Sequence, residues 1–194
     1  MRAGVCPLLV GTLTLLAATS SPAAQASDGR SAGTTYEACG LVAGQYLTTI
    51  QLLQQGFDAA VLKETLPGLT GKGARRIRAI EDQISEDGLI DTYSSVNARY
   101  ARCASRVNDN QGKPEPKTRE QHFYICAGEN KVQYEIMLAA LAGGHLEEVK
   151  PQLAKAHRGM AEKIYRRLGE TNVATVFREM ASELKACLNT APQR

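Results

Sequence analysis

Tryptophan is absent from this chain, and phenylalanine with tyrosine make up only 5% of it. A surface built to hold unfolded polypeptide needs many exposed aromatic side chains, so this scarcity argues against a chaperone. No run of eighteen uncharged apolar residues follows the first thirty positions, and a helix needs about 20 to cross a bilayer core of about 30 Å. The sequence lacks C-x-x-C, H-E-x-x-H, a Walker loop, a dinucleotide fingerprint and G-x-S-x-G. Thiol redox centres, haem attachment, zinc proteolysis, nucleotide binding and the serine nucleophile elbow therefore lose their usual signatures. Net charge is small as well, 23 basic against 20 acidic residues. Nucleic-acid binding ordinarily shows a concentrated basic face, and none is expected here.

What is present begins with a leader. Arg2 supplies a positive start, "VCPLLVGTLTLLAA" an apolar run of about fourteen residues, and Ala24-Gln25-Ala26 a small-residue cleavage site. Residues 1–26 read as a signal peptide removed near Ala26, with Cys6 lost in it. The expected location is periplasmic or secreted. Four cysteines remain, Cys39, Cys103, Cys126 and Cys187. An even number in an exported chain implies two bridges, with three connectivities open.

The stretch "YEACGLVAGQYLTTIQLLQQG" is echoed by "FYICAGENKVQYEIMLAALAGG". A shift of 88 residues superposes Tyr46 on Tyr134, Leu53 on Leu141 and Gly56 on Gly144. It also lays Phe57 on His145, Ile77 on Tyr165 and Ile80 on Leu168. A shift of 84 places Tyr93 on Phe177, Val96 on Met180, Tyr100 on Leu184 and Cys103 on Cys187. The change implies a four-residue deletion, assigned to "EDQISEDG" shrinking to "GETN". Cys39 and Cys126 match only at 87, one residue out of step. Such self-similarity marks paired copies of one supersecondary unit. It favours Cys39 with Cys103 and Cys126 with Cys187, each bridge closing a loop worth about 4 kcal/mol on the chain-entropy model.

Within each unit the apolar residues recur at helical spacing. Thr34 with Glu37, and Thr118 with Gln121, are candidate capping boxes, and Cys39, Val42, Tyr46, Ile50 and Leu53 trace one face up to Gly56. Shorter second and third helices follow, Pro67 ending one of the second helices, and a fourth runs up to Cys103 or Cys187. Nothing alternates as a strand would. The expected fold is all-α: an internally duplicated, disulfide-stapled helical bundle with about four helices per repeat. Residues 27–33 are read as a flexible start, 34–107 as repeat 1, 108–118 as a linker rich in Pro and Gly, 119–188 as repeat 2 and 189–194 as a flexible end.

Candidates for chemistry are few. "GLTGKGA" lacks the spacing of a phosphate cradle and reads as a turn. His145, Glu147, Glu148 and His157 form the one neighbourhood where a metal can be imagined, but lone histidines define no zinc site, so neither metal nor cofactor is expected. Glu81-Asp82 and Glu86-Asp87 supply carboxylates, read as a solvated acidic surface rather than a glycosidase pair. Arg75, Arg76 and Arg78, with Arg158, Lys163, Arg166 and Arg167 in the second half, suit either a solvated face or an acidic partner. The turns at "LPGLTGKGARR" and "LAGGHLEE" are the candidate contact segments, with Arg75, Arg76, Arg78, His145 and Glu147 as contact residues.

The layout, a leader followed by helices bracketed by "YEAC" and "ARYARC" and again by "YIC" and "LKAC", resembles small helical periplasmic proteins of bacteria. Those include immunity proteins that block secreted wall-degrading effectors. The resemblance is one of architecture across the mature chain and transfers no residue roles. It implies a non-enzymatic protein that binds another protein and occludes it. The alternatives are a carrier of a small apolar ligand or lipid between its helices, an envelope-stress chaperone, and an enzyme, which fold alone never excludes.

Overall fold

The computed structural model describes residues 34–65 and 71–192. Residues 1–26, read above as a signal peptide and including Cys6, lie outside the described residues, as do residues 27–33 and Pro67. Those described form eight α-helices and no strand: α1 (Tyr36–Gln54), α2 (Ala59–Thr65), α3 (Gly71–Asp87), α4 (Leu89–Gln111), α5 (Arg119–Leu141), α6 (Leu146–Val149), α7 (Arg158–Glu170) and α8 (Val173–Asn189). Two 3-10 turns, Lys150–Gln152 and Lys155–His157, join α6 to α7, and Pro151 sits in the first. Its missing amide leaves no helical bond unmade there.

Capping chemistry sets the helix ends. Thr35, not Thr34, caps α1: its hydroxyl accepts from Ala38 N at 3.1 Å. The two preceding amides turn to another helix, because the Glu120 carboxylate of α5 accepts from Tyr36 N at 2.8 Å and from Glu37 N at 3.3 Å. Three otherwise orphaned donors are thereby satisfied, two of them across the fold. Thr118 caps α5 by accepting from Gln121 N at 3.1 Å, while the Gln121 side chain reaches back to Lys117 N rather than to Thr118.

The expected linker at 108–118 is shorter than its composition suggests. Helix α4 continues through Gln111 and stops at Gly112, whose φ of 73° breaks the helical path. Tertiary contacts hold that last turn: the Tyr36 hydroxyl donates to Gly112 O at 3.1 Å, and Gln111 donates to Thr34 O at 3.1 Å. Polar composition alone reads this turn as loop, and its partners lie more than seventy residues away. At the other end α8 includes Asn189, and the Arg119 guanidinium holds Pro192 O, so residues up to 192 are tied down.

Helices α1, α4, α5 and α8 share one hydrophobic core, joined by Ile80 of α3 and by Ala161 and Ile164 of α7. The halves are therefore not separate mini-cores. A satellite cluster of Ala59, Leu62 and Ile77 holds α2 on α3. Helix α5 runs antiparallel to α4, with Ser94 against Tyr134 and Asn97 against Asn130. Helix α1 runs antiparallel to α8, with Gln51 against Ser182 near one end and Gly40 against Leu188 near the other. The starts of α1 and α5 meet, Tyr36 and Tyr124 packing edge to face at 5.2 Å.

Burial matches the two halves at a register different from the one the sequence echo suggests. In α1 the buried residues are Tyr36, Cys39, Gly40, Ala43, Leu47, Thr49 and Ile50. In α5 they are Phe123, Cys126, Ala127, Asn130, Tyr134, Ile136 and Met137, each 87 residues on, the same step as from Cys39 to Cys126. Gly56 and Gly143, also 87 apart, both end their helices at φ 87°. The shift of 88 is thus one residue too long, and Tyr134 corresponds to Leu47 rather than to Tyr46. Tyr46 is partly exposed, with the Arg76 guanidinium 5.9 Å above its ring.

In α4 and α8 the step is 84, pairing Thr92, Tyr93, Val96, Asn97 and Tyr100 with Val176, Phe177, Met180, Ala181 and Leu184. The same step pairs Ile77 and Ile80 of α3 with Ala161 and Ile164 of α7. The shortening is therefore three residues, falls between the second and third helices, and leaves "EDQISED" inside α3. Tyr93 and Phe177 stack on each other with rings parallel to 1° and centroids 5.8 Å apart.

The bridges are Cys39–Cys103 and Cys126–Cys187. Each ties the first helix of a half to its last. Two such bonds fit an oxidising compartment, and among the described residues no helix is long and apolar enough to cross a membrane.

Candidate functional site

The expected contact residues do not converge. Helix α3, carrying Arg75, Arg76 and Arg78, packs on α1 and α4, whereas α6, capped by His145 and carrying Glu147, packs on α5 and α7. Arg75 and Arg78 are exposed, but Arg76 is partly buried and donates to Gln45 at 2.6 Å while lying over Tyr46. His145 is an exposed boundary residue whose amide donates to Glu148 at 3.2 Å. Its role in the fold is to start a four-residue helix.

Helix α7 shows how its basic residues are used. Lys163 pairs with Glu183, Arg167 with Glu170 and Glu179, and Arg166 with Glu170. These cations join α7 to α8 or brace α7 itself, so their charge is balanced within the protein. Lys163 and Arg167 line a groove of about 280 Å³ between α7 and α8, together with Met160, Ile164, Val176 and Met180. Hydrogen bonds from Arg167 hold the Glu179 carboxyl below its ordinary pKa, and the Lys150 side chain does the same to Glu162. A carboxylate kept ionised in this way is unsuited to give up a proton as a general acid. Glu81, Asp82, Glu86 and Asp87 are exposed on α3, in helix rather than in turns.

A different feature emerges on the outer side of the α4–α5 pair. One helical turn beyond the contact of Ser94 with Tyr134 lie Ile90 and Leu138, with Leu141 next along α5. Their exposures are 40%, 41% and 44%. The corresponding places in the α1–α8 pair are Ala174, Gln51 and Gln54. There Gln51 donates to Ser182 at 3.1 Å and accepts from Lys185 at 2.6 Å, and Gln54 accepts from Tyr93 at 2.7 Å. At these matching positions the α4–α5 pair carries three apolar residues, whereas two of the three in the α1–α8 pair are glutamines bonded within the protein.

The sequence reading missed two further groups. Asn97 and Asn130 form a buried pair at 3.0 Å between α4 and α5, where the other half has Ala181 and Ala43. Among the described residues, His122, Cys126 and Cys187 bring their side-chain donor atoms within 4.8 Å of one another. His145, Glu147, Glu148 and His157 do not form such a group. The signal for His122 was in the sequence, because His-x-x-x-Cys on a helix sets both residues on one face. Scans against protein-family models, curated proteins and solved structures find no match to this chain.

Proposed function

We propose that the chain is exported to the periplasm or cell exterior, with its leader removed near Ala26, and acts there by binding another protein. In this reading the bound partner is blocked by occlusion, as an inhibitor or immunity protein blocks its target, and the protein itself catalyses nothing. One observation carries the proposal: Ile90, Leu138 and Leu141 expose apolar surface on the α4–α5 pair, where the matching positions of the α1–α8 pair are Ala174, Gln51 and Gln54. The fully buried centre of a protein interface is more apolar than its rim. Two bridges and one shared core support the reading by keeping that seam rigid, so little conformational freedom is lost on binding.

The contact residues of this reading are Ile90, Leu138 and Leu141, with Arg75, Arg78, His145 and Glu147 left as exposed periphery. The test is capture by the immobilised mature protein from an extract of the producing cells, beside a Leu138→Glu variant. A single stoichiometric protein held by the parent and released by the variant is the expected result. Equal capture by both proteins, or recovery of lipid in place of protein, would sink the proposal.

A further inference from the structure

We propose that the Cys126–Cys187 bridge, once reduced, becomes a zinc site whose third ligand is His122. His122 and Cys126 sit one turn apart on α5, with the imidazole Nε2 3.5 Å from Cys126 Sγ. Zinc takes sulfur at about 2.3 Å and nitrogen at about 2.0–2.1 Å in tetrahedral array, which places the two donors about 3.5 Å apart. That edge of the tetrahedron is already built. Cys187 on α8 supplies the second sulfur, and all three donor atoms lie within 4.8 Å of one another. Three protein ligands leave the fourth position to water.

The chemistry balances with a dithiol reductant. It delivers two electrons and two protons, the Cys126–Cys187 bond breaks, and the reductant closes its own disulfide. Zn²⁺ then displaces the two thiol protons and binds two thiolates. In the bridged protein His122 Nε2–H donates to Cys187 O at 2.7 Å. Metal binding moves that proton to Nδ1. The carbonyl is not orphaned by the change, because the Thr190 hydroxyl also donates to it, at 2.9 Å.

The other half supplies the control. The residue corresponding to His122 is Thr35, whose hydroxyl is committed to capping α1. Reduction of Cys39–Cys103 therefore yields two sulfurs without an imidazole. Cys187 is partly exposed while Cys126 is buried, so a reductant can reach one sulfur of the pair.

The experiment titrates zinc, against a chromophoric chelator, into the full mature chain reduced with a phosphine, which competes little for the metal. The expected result is one zinc per chain in the reduced protein and none in the bridged protein. Loss of outer partners of a metal site alone weakens binding about 10–100-fold, so His122→Ala, which loses a direct ligand, is expected to weaken it by about 100-fold or more. Cobalt substitution gives thiolate-to-metal charge-transfer bands that change in the same variant. A double substitution Cys39→Ala/Cys103→Ala leaves binding intact. Where reduction alone lowers helicity, zinc restores it in the parent and not in His122→Ala. Equal zinc affinity in parent and His122→Ala, or a reduced chain that zinc neither binds nor refolds, overturns the proposal.

Discussion

The buried amide pair gives the sharpest test of the structure. Asn97 and Asn130 are 4% and 3% exposed; Asn130 Nδ2 donates to Asn97 Oδ1, and Asn97 Nδ2 donates to Tyr93 O at 2.9 Å. Asn130 Oδ1 has no partner among the described residues. A buried polar group stripped of its partner costs about 1–3 kcal/mol, whereas replacing both partners by apolar groups is close to neutral. Asn130→Ala strands only Asn97 Oδ1 and is expected to cost about 2 kcal/mol. Asn97→Ala strands the whole Asn130 amide and is expected to cost more, toward about 3 kcal/mol. Tyr93 O keeps its ordinary helical bond in every variant. The double variant is expected to be no less stable than Asn130→Ala alone, because it leaves neither amide without its partner, and the matching positions of the α1–α8 pair are the alanines Ala43 and Ala181. The assay is urea unfolding with both bridges intact, read at unchanged m-value, or thermal unfolding, where about 2 kcal/mol is about 4–8 °C at this chain length. A double variant whose loss equals the sum of the singles would refute the reasoning.

Two other outcomes follow from packing and burial. An added Cβ at Gly40 meets Leu188 Cδ2 at 2.7 Å and Phe123 Cδ1 at 3.0 Å, while one at Gly128 meets nothing within 4 Å. Gly128→Ala is expected to stabilise by about 0.8–1.0 kcal/mol through helix propensity, and Gly40→Ala to destabilise by about 1–3 kcal/mol through overpacking. Urea midpoints of the two variants shifting in the same direction would contradict the placement of α1. Burial pushes the Tyr93 phenol from its ordinary 10.0 up to about 12, and Tyr100 is raised by the same cause. Because the folded value lies above the unfolded one, the stability linked to Tyr93 is complete below pH 10.0 and is lost as pH climbs toward about 12. Tyrosinate absorbance near pH 11 is expected to show fewer than the full set of seven tyrosines ionised while circular dichroism remains native. Ionisation of all of them near their ordinary pKa in folded protein would defeat the assignment.

Much of the fold was legible because helical periodicity is local. The spacing of apolar residues marks the first and last helices of each half, and the repeat selects one connectivity of three, the one the bridges adopt. Register was less accessible. Tyr46 and Tyr134 are alike in chemistry but differ in place, and only burial shows that Leu47 is the counterpart of Tyr134. The surroundings of the candidate contact residues were not legible either. Arg76 reads as an exposed cation in sequence, yet in space Gln45 and Tyr46 occupy it. The apolar seam went unseen because it depends on residues from two helices, and although His122 and Cys126 share one face of α5, only the fold brings Cys187 beside them.

By itself, then, the amino-acid order determined that this chain is helical, where most helices begin and end, and which cysteines are available to close each half. Those are matters of residues within a few positions of one another. The tertiary structure alone decided that the halves share one core, that Glu120 caps a helix 84 residues before it, and that Ile90, Leu138 and Leu141 stay exposed. Such features arise only when distant segments exclude water between them, and no short window of sequence contains both sides of the contact.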